Sequence, residues 1–177
     1  MNLDGCSGLQ RIAPLRGCEK LEEVHALGLS SCRDLELSGS LRSVKTLHIE
    51  LLLGPDWKGS PPHNTSPLVH LNLSHPGGTR WEDWALRRRL KSLRIHAGVM
   101  LTRLSNLTSL ISITGLRLID NQELQETPDR GELQTISTLH IVGSPRWSGE
   151  KEVGRLTQLR SLNLMGSGIS DLLHLRD

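Results

Sequence analysis

The stretch from Ile113 to Leu124 reads ITGLRLIDNQEL, and it decides the fold. Apolar residues stand at its positions 1, 4 and 6, and the alternation around positions 4 and 6 is typical of a short strand with one buried side. Asparagine, at position 9, is a residue type that turns a chain out of a strand. The stretch therefore predicts a strand followed by a turn.

The same frame recurs along the chain at an almost constant interval. It starts at residues 21, 44, 68, 90, 113, 136 and 159, so successive starts differ by 23, 24, 22, 23, 23 and 23 residues. Met1, Leu3 and Cys6 fit positions 4, 6 and 9 of a partial coil before the first of these. Because self-similarity at a fixed period is the signature of a solenoid, the frame predicts a continuous stack of coils.

In this frame the chain resembles the leucine-rich repeat proteins, and residues 6–21 are similar to the cysteine-bearing repeats of intracellular arrays. The resemblance implies an α/β solenoid, a right-handed superhelix with a parallel concave sheet and an irregular, partly helical convex side. It implies a single array over residues 1–177, with about seven full repeats and a partial first one. Both ends fall inside coils, so we expect a segment of a longer array or one that partners cap.

Composition narrows the function and the compartment. The net charge of +2 is too small to indicate nucleic-acid binding by itself. The chain has an odd number of cysteines, Cys6, Cys18 and Cys32. We expect them to be free, buried thiols, which are typical of a protein in a reducing compartment. The sequence shows neither a signal-peptide pattern nor a long apolar run. We therefore expect a cytoplasmic or nuclear protein that does not bind a membrane.

The return segments between strands are predicted to differ from one another. Residues 54–67 carry too many prolines for a helix, whereas residues 81–90 form the best helical stretch. A short helix is expected from Glu150 to Leu156, and an extended segment around Leu35. The tryptophans Trp57 and Trp81 and the arginines at 87–89 offer an alternative, convex binding surface, although core packing of the tryptophans and a solvated face for the arginines are the more common roles.

Position 5 of each coil forms the central column of the predicted concave surface. This column contains no acidic and no aliphatic residue and consists of His25, His48, Asn72, Arg94, Arg117, His140 and Asn163. The residues at position 3 mostly have small side chains, which leave the central column accessible. One interpretation is that any solvent-facing strand position must be polar. The other is a surface that binds an acidic or hydrogen-bonding partner, more tightly once histidines charge below about pH 6.5.

Position 9 holds asparagine only at Asn121, and we expect Ser144 and Ser167 to replace it partly as hydrogen-bonding groups. His25 and His48 are neighbours in the column, but the frame suggests no third metal ligand, so no metal or other cofactor is predicted. The motifs of hydrolases, P-loop proteins and zinc proteases do not occur, and we expect no catalysis.

The resulting hypothesis is a protein–protein interaction scaffold that recognises a partner, possibly an acidic one, through its concave surface. The alternative is a scaffold associated with nucleic acid or a ribonucleoprotein, which would use the Arg and His residues of the same surface.

Overall fold

A computed structural model describes residues 1–9, 11–12, 18–26, 34–35, 43–50, 69–74, 89–97, 101–102, 112–125 and 133–171. These ranges contain nine strands and one short helix. They are β1 (Arg11–Ile12), β2 (Glu23–Ala26), β3 (Asp34–Leu35), β4 (Thr46–Glu50), β5 (His70–Ser74), β6 (Ser92–His96), β7 (Gly115–Ile119), β8 (Thr138–Val142), α1 (Glu150–Val153) and β9 (Ser161–Asn163).

Seven of these strands form one parallel sheet in the order β2-β4-β5-β6-β7-β8-β9. The register pairs each residue with its counterpart one coil later, so that position 4 forms a continuous column of apolar residues across the sheet. From β4 to β9 this column consists of Leu47, Leu71, Leu93, Leu116, Leu139 and Leu162. The predicted parallel solenoid is confirmed.

The core lies behind the sheet because the strand side chains alternate between its two sides. In β7, Leu116 and Leu118 are buried, whereas Arg117 between them is exposed. The core also contains the buried residues at position 1 of three coils, namely Leu90, Ile113 and Ile136. Each coil thus contributes three apolar positions to one layer, which is why the 23-residue spacing must be kept.

The opening residues and two return segments pair in the same parallel manner. Asn2 forms an isolated parallel bridge to His25, with Leu3 N donating to His25 O at 2.8 Å. Strands β1 and β3 form a separate two-stranded sheet, in which Ile12 is paired with Leu35. The segment around Leu35 is therefore extended, as predicted.

Two of the cysteines contradict the expectation of buried thiols. Cys6 and Cys18 are unbridged and exposed to solvent. Cys6 lies in the outermost described coil, and no other described coil covers it. A repeat-phase position predicts burial only where neighbouring coils lie on both sides. Cys32 lies outside the described residues.

Each described position 8 adopts a left-handed backbone conformation where the chain turns out of the sheet, a feature that the frame did not predict. The backbone φ angle is +76° at Gly5, +50° at Ala97, +55° at Asp120, +64° at Gly143 and +68° at Gly166. At residue 143 a side chain would also collide with the neighbouring coil, because an added Cβ would lie 2.2 Å from Asp120 Oδ1. Glycine at this position relieves both constraints.

Position 9 follows this turn, and it is buried at Asn121 and Ser144. Asn121 Nδ2 donates to Ile119 O at 3.0 Å and to Ile95 O at 3.3 Å, and so joins its own strand to the preceding one. Ser144 is buried one coil later, but its Oγ has no hydrogen-bond partner. Ser144 therefore does not substitute for asparagine as expected, because its shorter side chain makes neither bond.

The return segments are only partly described. Helix α1 begins at Glu150 as predicted but ends at Val153, where Gly154 follows. This four-residue helix does not amount to the predicted partly helical convex side. Several predicted features lie outside the described residues. These are the proline-rich segment 54–67 with Trp57, and the expected helix 81–90 with Trp81, of which only Arg89 and Leu90 are described. Within the described ranges, no helix has the length and hydropathy needed to cross a membrane.

Candidate binding surface

The sheet presents a polar side opposite the core, which we call the exposed face. It carries the side chains at positions 3, 5 and 7 of each coil, since residues two apart on a strand point to the same side. All seven predicted site residues lie here at position 5, in one unbroken row. In sheet order this central row is His25, His48, Asn72, Arg94, Arg117, His140 and Asn163.

Arg94 and Arg117 form an exposed pair in the middle of the central row. They are register partners on β6 and β7, and both are exposed. Ser92 and Gly115 precede them at position 3 and are too small to cover them. Among the described residues, neither guanidinium takes part in an ion pair. Because neighbouring strands are about 4.8 Å apart, these two cations leave this part of the face strongly positive.

His140 and Asn163 continue the row, and each makes a polar contact with a neighbouring residue. His140 Nε2 lies 3.2 Å from Ser161 Oγ. Burial, and then repulsion by the Arg117 cation, lower the pKa of His140 from its ordinary value of 6.5. Asn163 Oδ1 accepts a hydrogen bond from Met165 N at 3.1 Å and so closes the end of β9.

At the other end of the row, His25 and His48 stack on each other. Their ring centroids are 4.5 Å apart and the planes differ by 11°. On the far side of His48, its Nδ1 lies 3.3 Å from Asn72 Nδ2. Burial, and then the His25 ring, lower the pKa of His48 below 6.5. His48 and His140 therefore gain charge at a lower pH than the sequence-based expectation assumed.

Two carboxylates beside this stack were missed by the sequence interpretation. Glu23 Oε1 lies 3.0 Å from His25 Nε2 and 4.0 Å from His48 Nε2. Asp4 Oδ2 lies 4.0 Å from His25 Nδ1 on the other side of that ring. Glu23 could have been found, because it stands two residues before His25 at position 3. Asp4 comes from the partial coil, where the frame gives no such signal.

An apolar strip beside the arginines was also missed. Ile119 and Val142 are register partners at position 7, and both are half-buried. Met165 holds position 7 in the next coil, adjoining Gly143 through a backbone hydrogen bond of 2.9 Å, and it is 68% exposed. Three apolar residues at one solvent-facing position were a signal available in the sequence.

Two further histidines, His70 and His96, lie nearer the edges of this surface. His70 is exposed at position 3 of β5. His96, at position 7 of β6, has its Nε2 3.1 Å from Asp120 Oδ2. His75 lies outside the described residues. The exposed face is therefore divided, with His25, His48 and acidic groups at the β2 end and with Arg94, Arg117 and the apolar strip towards the β9 end.

No protein-family model matches this sequence, and no curated protein matches it. Among solved structures, the chain is similar to an internalin (inlF) from Listeria monocytogenes str. 4b F2365, with a TM-score of 0.43 and 17% sequence identity. The match covers 92% of this chain and 60% of the internalin chain, so the present chain spans about three fifths of the length of that chain.

Proposed function

We propose that this chain is a leucine-rich repeat array that acts as a protein-recognition scaffold in the cytoplasm or nucleus. Its exposed face binds an acidic segment of a partner protein, and it catalyses no reaction. One observation carries the proposal, namely that the guanidiniums of Arg94 and Arg117, which form no ion pair with any described residue, adjoin the apolar strip of Ile119, Val142 and Met165.

The two halves of this arrangement make different contributions to binding. Each guanidinium can hold one carboxylate through two parallel hydrogen bonds, which fixes the partner's orientation. The apolar strip can exclude water next to these ion pairs, and a desolvated centre with a polar surround is typical of protein interfaces. Arg117 and Ile119 are two residues apart on one strand, so a single partner segment can contact both.

The same features argue against nucleic acid as the primary partner. The arginines would suit phosphates, but the described part of the exposed face has no Phe, Tyr or Trp side chain on which a base could stack. Asp4 and Glu23 place negative charge at the β2 end of the row, where a polyanion would be repelled. The side chains of the apolar strip would form no favourable contact with a phosphate backbone.

The test is affinity capture with three matched forms of the tagged protein. The wild type is compared with Arg94→Glu/Arg117→Glu and with Lys151→Glu/Arg155→Glu, which makes the same charge change on exposed residues in and just after α1. Partners recovered with the wild type and the control should fall at least about tenfold with the arginine variant. Equal recovery with all three forms, or equal loss with both variants, would reject the exposed face as the binding surface.

A salt titration of the captured complex then separates protein from nucleic acid. Phosphate contacts give a steep linear fall of log affinity with log salt, with a slope of about −0.7 to −0.9 per contact. A protein partner held by two ion pairs and an apolar strip should show a shallow dependence and survive nuclease treatment. A steep slope and loss on nuclease treatment would establish the alternative scaffold instead.

A further inference from the structure

We propose that Glu23, His25 and His48 form a binding site for a transition-metal dication, of which Zn²⁺ is the best-suited example. One ligand atom from each of the three residues lies within 4.8 Å of the others. The site lies at the β2 end of the exposed face, away from the two arginines of the proposed partner contact, since the strand β5 separates His48 from Arg94.

The strand geometry brings three donor atoms to one point. Glu23 and His25 are two residues apart on β2 and share its exposed side, while His48 is the register partner of His25 on β4. Glu23 Oε1 faces the Nε2 atoms of His25 and His48, at 3.0 and 4.0 Å. Ligands about 2.0–2.2 Å from a tetrahedral zinc ion are separated by roughly 3.3–3.5 Å. The two carboxylate–imidazole separations therefore need to change by less than about 1 Å, whereas the ligand nitrogens of His25 and His48, which lie within 4.8 Å of each other, must approach by up to about 1.5 Å.

The ring orientations need one adjustment before both imidazoles can bind. The rings of His25 and His48 now stack nearly in parallel, so their nitrogen lone pairs lie in adjacent planes. Rotation about χ2, a broad torsion in histidine, opens the stack and directs both Nε2 atoms towards one ion. Side-chain exposures of 33% and 28% for His25 and His48 leave room for this rotation and an entry path for the ion.

Each histidine also has a polar group on its remaining nitrogen. Asp4 Oδ2 lies 4.0 Å from Nδ1 of His25, the side away from Glu23. Asn72 lies against Nδ1 of His48, and a half-turn of its amide would present Oδ1, which is buried without a hydrogen-bond partner, to Nδ1–H. An acceptor in this position, once it comes within hydrogen-bond distance of Nδ1–H, fixes the tautomer that leaves Nε2 available to a metal.

The donor set indicates which ions fit. Two imidazoles and one carboxylate suit Zn²⁺, Ni²⁺, Co²⁺ and Cu²⁺, whereas Mg²⁺ and Ca²⁺ prefer oxygen ligands. Three protein ligands leave a fourth position of the tetrahedron for water or another donor.

The test is a Zn²⁺ titration of the full chain in competition with a chromophoric chelator. The protein carries no histidine tag, because a tag would bind the same ions. We expect roughly one Zn²⁺ per chain and no comparable uptake of Mg²⁺. Glu23→Gln, His25→Gln and His48→Gln should each raise Kd about 100-fold, and Asn72→Leu about tenfold.

Two comparisons make the result specific. His140→Gln removes a histidine from the same row and should leave the Kd for Zn²⁺ unchanged. Circular dichroism establishes that each variant is folded, and Co²⁺ should give the strong visible bands of four-coordinate cobalt in the wild type but not in Glu23→Gln. Absence of stoichiometric Zn²⁺ uptake, or uptake that survives all three ligand substitutions, would overturn the proposal.

Discussion

At the scale of single residues, position 9 shows that a buried polar group stabilises the fold only when it is satisfied. Asn121 bonds to carbonyl oxygens on two adjacent strands, whereas the buried Ser144 Oγ has no hydrogen-bond partner. The two residues occupy equivalent positions in neighbouring coils, so they form a natural comparison. The number of hydrogen bonds that each side chain makes, and not its burial, should decide how much its replacement by alanine lowers the free energy of unfolding.

We predict that Asn121→Ala lowers the free energy of unfolding by about 2–3 kcal/mol, because it removes bonds to buried carbonyl groups. Ser144→Ala should change it by less than about 0.5 kcal/mol or increase it, since no bond is lost. Chemical denaturation of both variants measures the difference. Equal losses would mean that Ser144 Oγ is satisfied in solution.

His140 gives a second prediction at this scale, and its sign follows from the lowered pKa. Burial and the Arg117 cation disfavour the charged ring, so the unfolded chain binds a proton at a higher pH than the folded chain does. The contribution of His140 to stability is therefore complete above about pH 6.5 and is lost as the pH falls through 6.5 to the folded pKa.

Arg117→Gln removes the repulsion and should raise the pKa of His140 towards 6.5, which makes the loss of stability on acidification shallower. An NMR titration of the imidazole protons measures this shift. His48 serves as the internal reference, because His25 and not Arg117 is the cation next to it. A His140 ring that titrates identically in both proteins would contradict the assignment of Arg117 as a cause.

At the scale of elements, neighbouring coils are held together by backbone contacts as well as by side-chain packing. Gly168 N donates to Trp147 O at 2.8 Å, and this close approach joins the last described coil to the one that carries α1. A Cβ at residue 168 would lie 2.3 Å from Pro145 O and 2.9 Å from Trp147 O. Backbone atoms cannot move aside as a flexible side chain can.

We predict that Gly168→Ala lowers the free energy of unfolding by about 1–3 kcal/mol or more, as overpacking does. Gly115→Ala is the matched control, because a Cβ there would have its nearest contact at 3.8 Å, with Ser92 Oγ. That variant should be neutral or more stable by up to about 1 kcal/mol. Similar effects of the two substitutions would argue against the tight contact at residue 168.

At the scale of the whole molecule, periodicity predicts what repeats and little else. The register that aligns Leu93 with Leu116 and Arg94 with Arg117 follows from the spacing, because one coil must stack on the next with its apolar positions inside. The central row was therefore predictable residue by residue. The left-handed turn at Ala97 was not, since nothing in that residue type indicates it.

Features that depart from the repeat could be identified only from the three-dimensional structure. The cluster around Glu23 joins residues of two coils with Asp4 from a third, and only the folded chain brings them together. Cys6 keeps the repeat phase but is exposed, because burial depends on which coils lie beside it. The apolar strip that ends at Met165 was visible in the sequence and gains its meaning from the adjacent arginines.

The central claim, that the exposed face binds a protein partner beside Arg94 and Arg117, is tested most directly by oxidative footprinting of the methionines. Met165 is 68% exposed in the strip, and Met1, 39% exposed at the opposite end of the sheet, serves as the internal reference. Because methionine oxidation follows exposure, the rate at Met165 should fall several-fold in the complex with the captured partner, while that at Met1 stays constant. A rate at Met165 that is the same in the free and bound protein would contradict the claim.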